Sequence, residues 1–122
     1  MSEPSKRQRR VATQIQEILS ELLLFEAKDP RIVGVTIMDV DIDRELQYAT
    51  VYVTSLDGPE YQNEILDSLD RAKGFLRREL GKQISIQHTP DLRFRWDDSQ
   101  ERAQRINDLL DSLDIQSADD EE

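Results

Sequence analysis

Cysteine is absent from the 122 residues, which excludes disulfides, thiol nucleophiles and thiolate metal sites. His88 is the single histidine, so no multi-histidine metal centre can form within one chain. Apolar runs are short, and none approaches the roughly 20 residues that a membrane span requires. The basic N-terminus is followed by no apolar core, so it does not read as a secretory signal. These absences point to a soluble cytoplasmic protein. Glycine is scarce too. Gly34, Gly58, Gly74 and Gly81 are all there are, and no pair has Gly-x-x-Gly spacing. With no nucleophile–base pair, metal cluster or phosphate loop, the chain does not read as an enzyme, and no cofactor is expected.

Charge is abundant, and it is segregated. The formal net charge is −10, yet residues 97–122 alone hold ten acidic and two basic residues. The remaining body is nearly neutral and its cations are clustered, so the low pI argues only weakly against a polyanionic partner. One cluster is Lys6, Arg7, Arg9 and Arg10. The other is Arg71, Lys73, Arg77, Arg78 and Lys82, opposed locally by Glu79.

From Val11 the apolar residues Val11, Ile15, Ile18, Leu22 and Phe25 recur at helical spacing, with Leu19 and Leu23 widening the stripe. Cations at a helix N-terminus oppose the macrodipole, so Lys6–Arg10 reads as a phosphate-binding arm; the alternative is a solvated, frayed leader. Pro30 stops this helix near Lys28-Asp29. Residues 32–42 are rich in β-branched side chains, but their alternation changes phase near Ile37-Met38, which predicts a bulge. Asp43-Arg44-Glu45 makes a polar turn into a second strand, in which Ala49, Val51 and Val53 alternate with Tyr48, Thr50, Tyr52 and Thr54. Asp39, Asp41 and Asp43 do not follow an EF-hand pattern, and no metal site is expected there.

Pro59 opens the next helix, whose stripe is Ile65, Leu69, Ala72, Leu76 and Leu80. Gly74 sits inside it at a cost of about 1 kcal/mol relative to alanine. On a helical wheel Gly74 falls opposite the stripe, so close packing does not explain it. A bend at Ala72-Lys73-Gly74 between two short helices is the expectation, with Gly81 stopping the second. Ile84, Ile86 and His88 then alternate, Pro90 interrupts, and Leu92, Phe94 and Trp96 alternate again, with Arg93 and Arg95 facing outward. His88 and Trp96 read as structural residues. Asp97, Asp98 or Ser99 caps a last helix with the stripe Ala103, Ile106, Leu110 and Leu113.

The order helix, strand, strand, broken helix pair, strand describes an α+β two-layer domain. It is that of a type II KH domain with an Ala-x-Gly kink in place of the usual Gly-x-x-Gly loop, plus a C-terminal helix. Strands one and two should be antiparallel, and the third, arriving by a helical crossover, parallel to one of them. The expected division is a flexible basic arm at 1–10, the KH-like domain at 11–96, a helix at 97–113 and a disordered acidic tail at 114–122.

Several motifs in this order resemble the bacterial ribosome-binding factor A family. They are Arg10-Val11-Ala12 with Ile15 and Leu19, Lys28-Asp29-Pro30-Arg31, Ala49-Thr50-Val51-Tyr52-Val53, Ala72 through Leu80, Pro90-Asp91-Leu92-Arg93-Phe94, and Asp97-Asp98-Ser99. Asp91 departs from the family's glutamate. The resemblance implies a non-catalytic factor that binds the free small (30S) ribosomal subunit. It implies a role in late maturation and 5′-end processing of 16S rRNA and in cold adaptation, with release linked to an assembly GTPase. A monomer that binds no membrane is expected. The candidate rRNA-binding residues are Lys6, Arg7, Arg9, Arg10, Arg31, Arg71, Lys73, Arg77, Arg78 and Lys82, with Ala72 and Gly74 forming the kink. A competing reading is a protein-interaction module whose basic helix meets an acidic protein.

Overall fold

The computed structural model describes residues 3–25 and 29–120. Met1 and Ser2 of the expected arm, Lys28 at the expected helix end, and Glu121 and Glu122 of the expected tail lie outside the described residues. The elements are α1 (Lys6–Phe25), β1 (Val35–Ile42), β2 (Tyr48–Ser55), a 3-10 turn (Pro59–Tyr61), α2 (Gln62–Gln83), β3 (Asp91–Trp96) and α3 (Ser99–Asp120).

α1 starts earlier than its apolar stripe does. The Ser5 hydroxyl accepts the Gln8 N–H at 3.1 Å, and the Gln8 side chain accepts the Ser5 N–H at 2.9 Å. This reciprocal capping box satisfies two otherwise orphaned donors and draws Lys6 through Arg10 into the helix. The cations expected in a flexible arm therefore stand on the first turns of α1. Val11, Ile15, Leu19, Leu22 and Leu23 are buried, whereas Phe25, expected on the stripe, is 77% exposed.

β1 and β2 form the expected antiparallel hairpin, and the register shifts between Ile37 and Asp39, where the phase change predicts a bulge. The strand starts at Val35 and not at Ile32, because the chain still turns at Gly34, which has φ +87°. Asp43 shapes the hairpin turn by accepting the N–H groups of Gln47 at 2.6 Å and Tyr48 at 2.9 Å. β3 runs parallel to β2 with Tyr48 opposite Asp91 and Val53 opposite Trp96, so β2 is the central strand. α1 packs over β1 and α2 over β3, on the face that carries Ala49, Val51, Val53 and Leu92.

α2 differs from expectation. It is one α-helix from Gln62 to Gln83 that passes through Gly74 and Gly81 without interruption, so the expected pair of short helices is not present. The reason is energetic. Ile65, Leu69, Leu76 and Leu80 are all buried on a continuous face. Burying each such side chain contributes about 1.5–3 kcal/mol, which outweighs the cost of about 1 kcal/mol for one helical glycine. Neither does the strand predicted from Ile84 to His88 form. Ile84 is buried and Ile86 packs against the core, but His88, read as structural, is exposed, and regular pairing begins only at Asp91.

At α3 the Asp97 carboxylate accepts the Ser99 N–H at 2.8 Å, and the Asp98 carbonyl accepts the Arg102 N–H at 2.9 Å. Asp98 also pairs with the Arg102 guanidinium at 3.1 Å. The helix continues to Asp120, through residues whose composition suggested a disordered tail. Its expected apolar stripe faces solvent: among the described residues Ala103, Ile106, Leu110 and Leu113 are all exposed, as is Leu109.

The Asp97 carboxyl lies below its ordinary value, chiefly through the hydrogen bond from the Ser99 hydroxyl, then the Ser99 N–H, with the Arg102 charge assisting against slight desolvation. A depressed folded-state pKa contributes stability that is present above the unfolded value and lost as pH falls through the folded one. Asp97→Asn should accordingly flatten the acid limb of the stability curve, read as the urea midpoint at neutral pH and near pH 3. A second expectation concerns Gly74, around which an added Cβ meets nothing within 4 Å. Gly74→Ala should raise the unfolding free energy by about 0.5–1 kcal/mol in urea titration.

Candidate nucleic-acid interface

The outward face of α2 follows from the burial of its other face. Gly74, Arg77, Arg78 and Gly81 recur at intervals of three and four residues and so share one side of the helix. Arg71 and Lys82 continue this side in either direction, and Lys73, half-buried, flanks it one turn before Arg77. Across from them runs the irregular segment Gln87-His88-Thr89. Between helix and segment lies an open groove of about 480 Å³ lined by Gly74, Arg77, Arg78, Gly81 and those three residues.

Two contacts hold this groove in shape. Arg77 donates from Nη2 to the Thr89 carbonyl at 2.9 Å and from Nε to the Pro90 carbonyl at 3.3 Å. These bonds fix the backbone that enters β3, and they also use carbonyls that a strand there would have paired. Arg77 is therefore a structural clamp as well as a cation. The second contact explains Gly81. A Cβ there would stand 2.7 Å from the Thr89 hydroxyl, so Gly81 admits the segment to the helix and does not end it. Lys82 pairs with Glu79 at 3.1 Å but remains largely exposed, and such surface pairs hold little energy. Arg78 is exposed on this face, with no ion pair among the described residues.

The structure brings the two basic clusters to one end of the sheet. Gln8 donates to the Ile42 carbonyl at 3.1 Å, which sets the start of α1 beside the end of β1. Ile42 pairs with Ala49, and the Asp91 N–H donates to the Gln47 carbonyl at 2.8 Å. The groove beside Thr89 thus borders the same hairpin end. Lys6, Arg7, Arg9 and Arg10 are exposed there, with Arg9 also donating to the Pro4 carbonyl at 3.1 Å. The acidic α3 leaves from the opposite end, where Trp96 pairs with Val53.

Arg31 is not part of this constellation. Asp29 accepts its N–H at 3.0 Å in a tight turn, and its side chain borders a hollow of about 260 Å³ with Asp57 and Glu64. Those carboxylates make the surroundings unfavourable for a phosphate.

The ribosome-binding factor A family model matches residues 7–110. The chain belongs to the ribosome-binding factor A family. A ribosome-binding factor A of Aromatoleum aromaticum is 44% identical over 113 residues, covering 93% of this chain and 89% of its own. That of Alcanivorax borkumensis is 48% identical over 103 residues, covering 84% and 75%. The crystal structure of ribosome-binding factor A from Thermus thermophilus superposes with a TM-score of 0.67 over 73% of this chain and 93% of that one. At 22% identity that likeness concerns the fold. A homology model of the Thermus thermophilus factor, fitted into a cryo-EM map of its complex with the 30S subunit, gives a TM-score of 0.59 at 24% identity, over 71% and 91%.

Several motifs that carry the family resemblance now have structural roles. Asp29-Pro30-Arg31 builds the turn after α1, Pro90-Asp91 starts β3, and Asp97-Asp98-Ser99 caps α3. Gln87 and Thr89 are not among the residues singled out in the sequence, and His88, read there as structural, lines the groove instead. Their only signal was Pro90, which marks an irregularity without saying which way its neighbours face.

The contact at Gly81 separates it from Gly74. Gly81→Ala should fall short of the stabilisation expected for Gly74→Ala, because the Thr89 hydroxyl must move, and combining it with Thr89→Ala should recover the difference. Urea midpoints of the three variants measure this.

Proposed function

We propose that this protein is a non-catalytic assembly factor that binds the free small ribosomal subunit, with its basic hairpin end against 16S rRNA. The observation that carries the reading is the convergence of Lys6, Arg7, Arg9 and Arg10 with the groove of Arg77 and Arg78. Membership of the ribosome-binding factor A family, and a neighbour's complex with the 30S subunit, supply the target. Cations on exposed helix faces neutralise phosphates and release condensed counterions, which makes the affinity fall steeply with salt. The groove is open and glycine-floored, so an RNA backbone can approach the helix at Gly74, where no side chain intervenes. Single strands and irregular rRNA shapes suit such a surface better than a regular duplex groove.

Within this reading Arg71, Lys73, Arg78 and Lys82 meet phosphates, Arg77 holds the groove, and Arg31 stands outside the contact. The finer role within this proposal is late maturation and 5′-end processing of 16S rRNA, growth in the cold, and release linked to an assembly GTPase. The protein acts as a cytoplasmic monomer. No helix among the described residues is long and apolar enough to cross a membrane.

Co-sedimentation with purified small subunits and with assembled ribosomes, at low and at moderate salt, tests the reading. The protein should travel with free small subunits at low salt and dissociate as salt rises. Arg78→Ala and Arg10→Ala should each lower the salt slope by about one, whereas Arg31→Ala should leave it unchanged. Failure of the wild-type protein to sediment with small subunits at low salt would sink the proposal.

A further inference from the structure

The helices cover one face of the sheet and leave the other open. On the open face stand Asp39 and Asp41 of β1, Tyr48, Thr50 and Tyr52 of β2, and Asp91, Arg93 and Arg95 of β3. Leucine, isoleucine and valine, which a protein-covered or lipid-covered face would carry, are absent from these positions. What the face offers is rings and guanidinium groups. The Arg93 guanidinium carbon lies 4.1 Å from the centroid of the Tyr48 ring, and both side chains are exposed. Ring and cation are thus already stacked before any ligand arrives.

We infer that Tyr48 and Arg93, flanked by Thr50 and Arg95, form a platform on which bases of a single-stranded RNA segment stack. The inference rests on the RNA-binding reading above and extends it to a second surface. Aromatic rings and guanidinium planes are the surfaces on which unpaired bases stack, and they accept any base because every base has a π-face. Position supports the same occupant. Tyr48 pairs with Asp91, at the hairpin end of the sheet, and Asp91 follows Thr89 of the groove by two residues. β3 is an edge strand, so a strand leaving the groove reaches the open face by passing around that edge.

Charge sets the limit of the platform. Arg93 and Arg95 make the β3 side attractive to phosphates. On the β1 side Asp41, opposite Thr50, and Asp39, opposite Tyr52, repel them, and the hollow these two border also holds Asp97 and Asp98, the latter paired with Arg102. From Tyr48 to Tyr52 the strand advances about 13 Å, so the bases are held on the Tyr48 half of the face. A regular duplex presents no unstacked bases and gains nothing from this surface.

The test measures binding of a short fluorescein-labelled single-stranded RNA of mixed sequence, of the corresponding duplex, and of purified small subunits. Tyr48→Leu, which removes the ring, and Arg93→Lys, which keeps the charge but loses the plane, should each weaken single-strand binding about five-fold or more. Tyr48→Phe should bind like the wild type, and duplex binding should not respond to any of the three. Undiminished single-strand binding by Arg93→Lys and Tyr48→Leu overturns the platform; if Tyr48→Leu does not fold, Arg93→Lys decides alone. Should Arg78→Ala weaken RNA binding while those two variants do not, the groove stands and the platform falls. Should the wild type bind neither RNA nor small subunits, the RNA reading falls with it. Loss of small-subunit binding by Tyr48→Leu with RNA binding intact would assign the face to a protein and also overturn the inference.

Discussion

The burial of one unbroken stripe of α2 is the constraint on which the rest of this structure depends. Ile65, Leu69, Leu76 and Leu80 lie against the sheet, and the gain from burying them keeps the helix continuous across Gly74. Once that face is committed inward, Gly74, Arg77, Arg78 and Gly81 have no choice but to face outward. Arg77 then reaches the Thr89 and Pro90 carbonyls, and β3 begins at Asp91 beside the start of β2. The groove is thus a by-product of core packing: its floor, its walls and its cations are set by which residues of α2 are apolar.

The same packing sorts the charge. α1 is anchored beside β1 by Gln8, and its sibling Gln16 donates to the Ile37 carbonyl at 3.2 Å further along the strand. Both glutamines occupy carbonyls of the β1 edge, which limits pairing with another strand there. They also fix the direction of α1, so that Lys6 through Arg10 point to the hairpin end. α3, with six acidic residues against two arginines, carries net negative charge away from the far end. A chain with a net charge of −10 thereby presents a concentrated basic surface at one pole. Under the proposed function, that polarity would orient the molecule toward a polyanion before contact is made.

Much of the fold was legible in the chain. The phase change at Ile37-Met38 marked the bulge, the alternation through Ala49, Val51 and Val53 marked the central strand, and the helical crossover implied a parallel third strand. Two glycines suggest helix boundaries, Gly74 as the junction of two short helices and Gly81 as a stop, because glycine weakens a helix in isolation. Neither position breaks α2, because intrinsic propensity is small beside the burial of neighbouring leucines. The Ser5-x-x-Gln8 box lies against the cations that follow it, whose charge opposes the helix dipole and hides the earlier start of α1.

The order of elements, the buried faces of α2 and of the strands, and the clustering of cations were determined by the sequence alone, because periodicity of two or of 3.6 residues reports which face is apolar. Only the tertiary structure decided which distant groups meet. No local pattern reveals that Gly81 must admit Thr89, that Arg77 closes on two carbonyls, or that Arg93 lies on the Tyr48 ring. Those contacts join residues from different elements, and their geometry exists only after the parallel pairing of β2 and β3 is made. The sequence located the charge; the pairing of strands made it a surface.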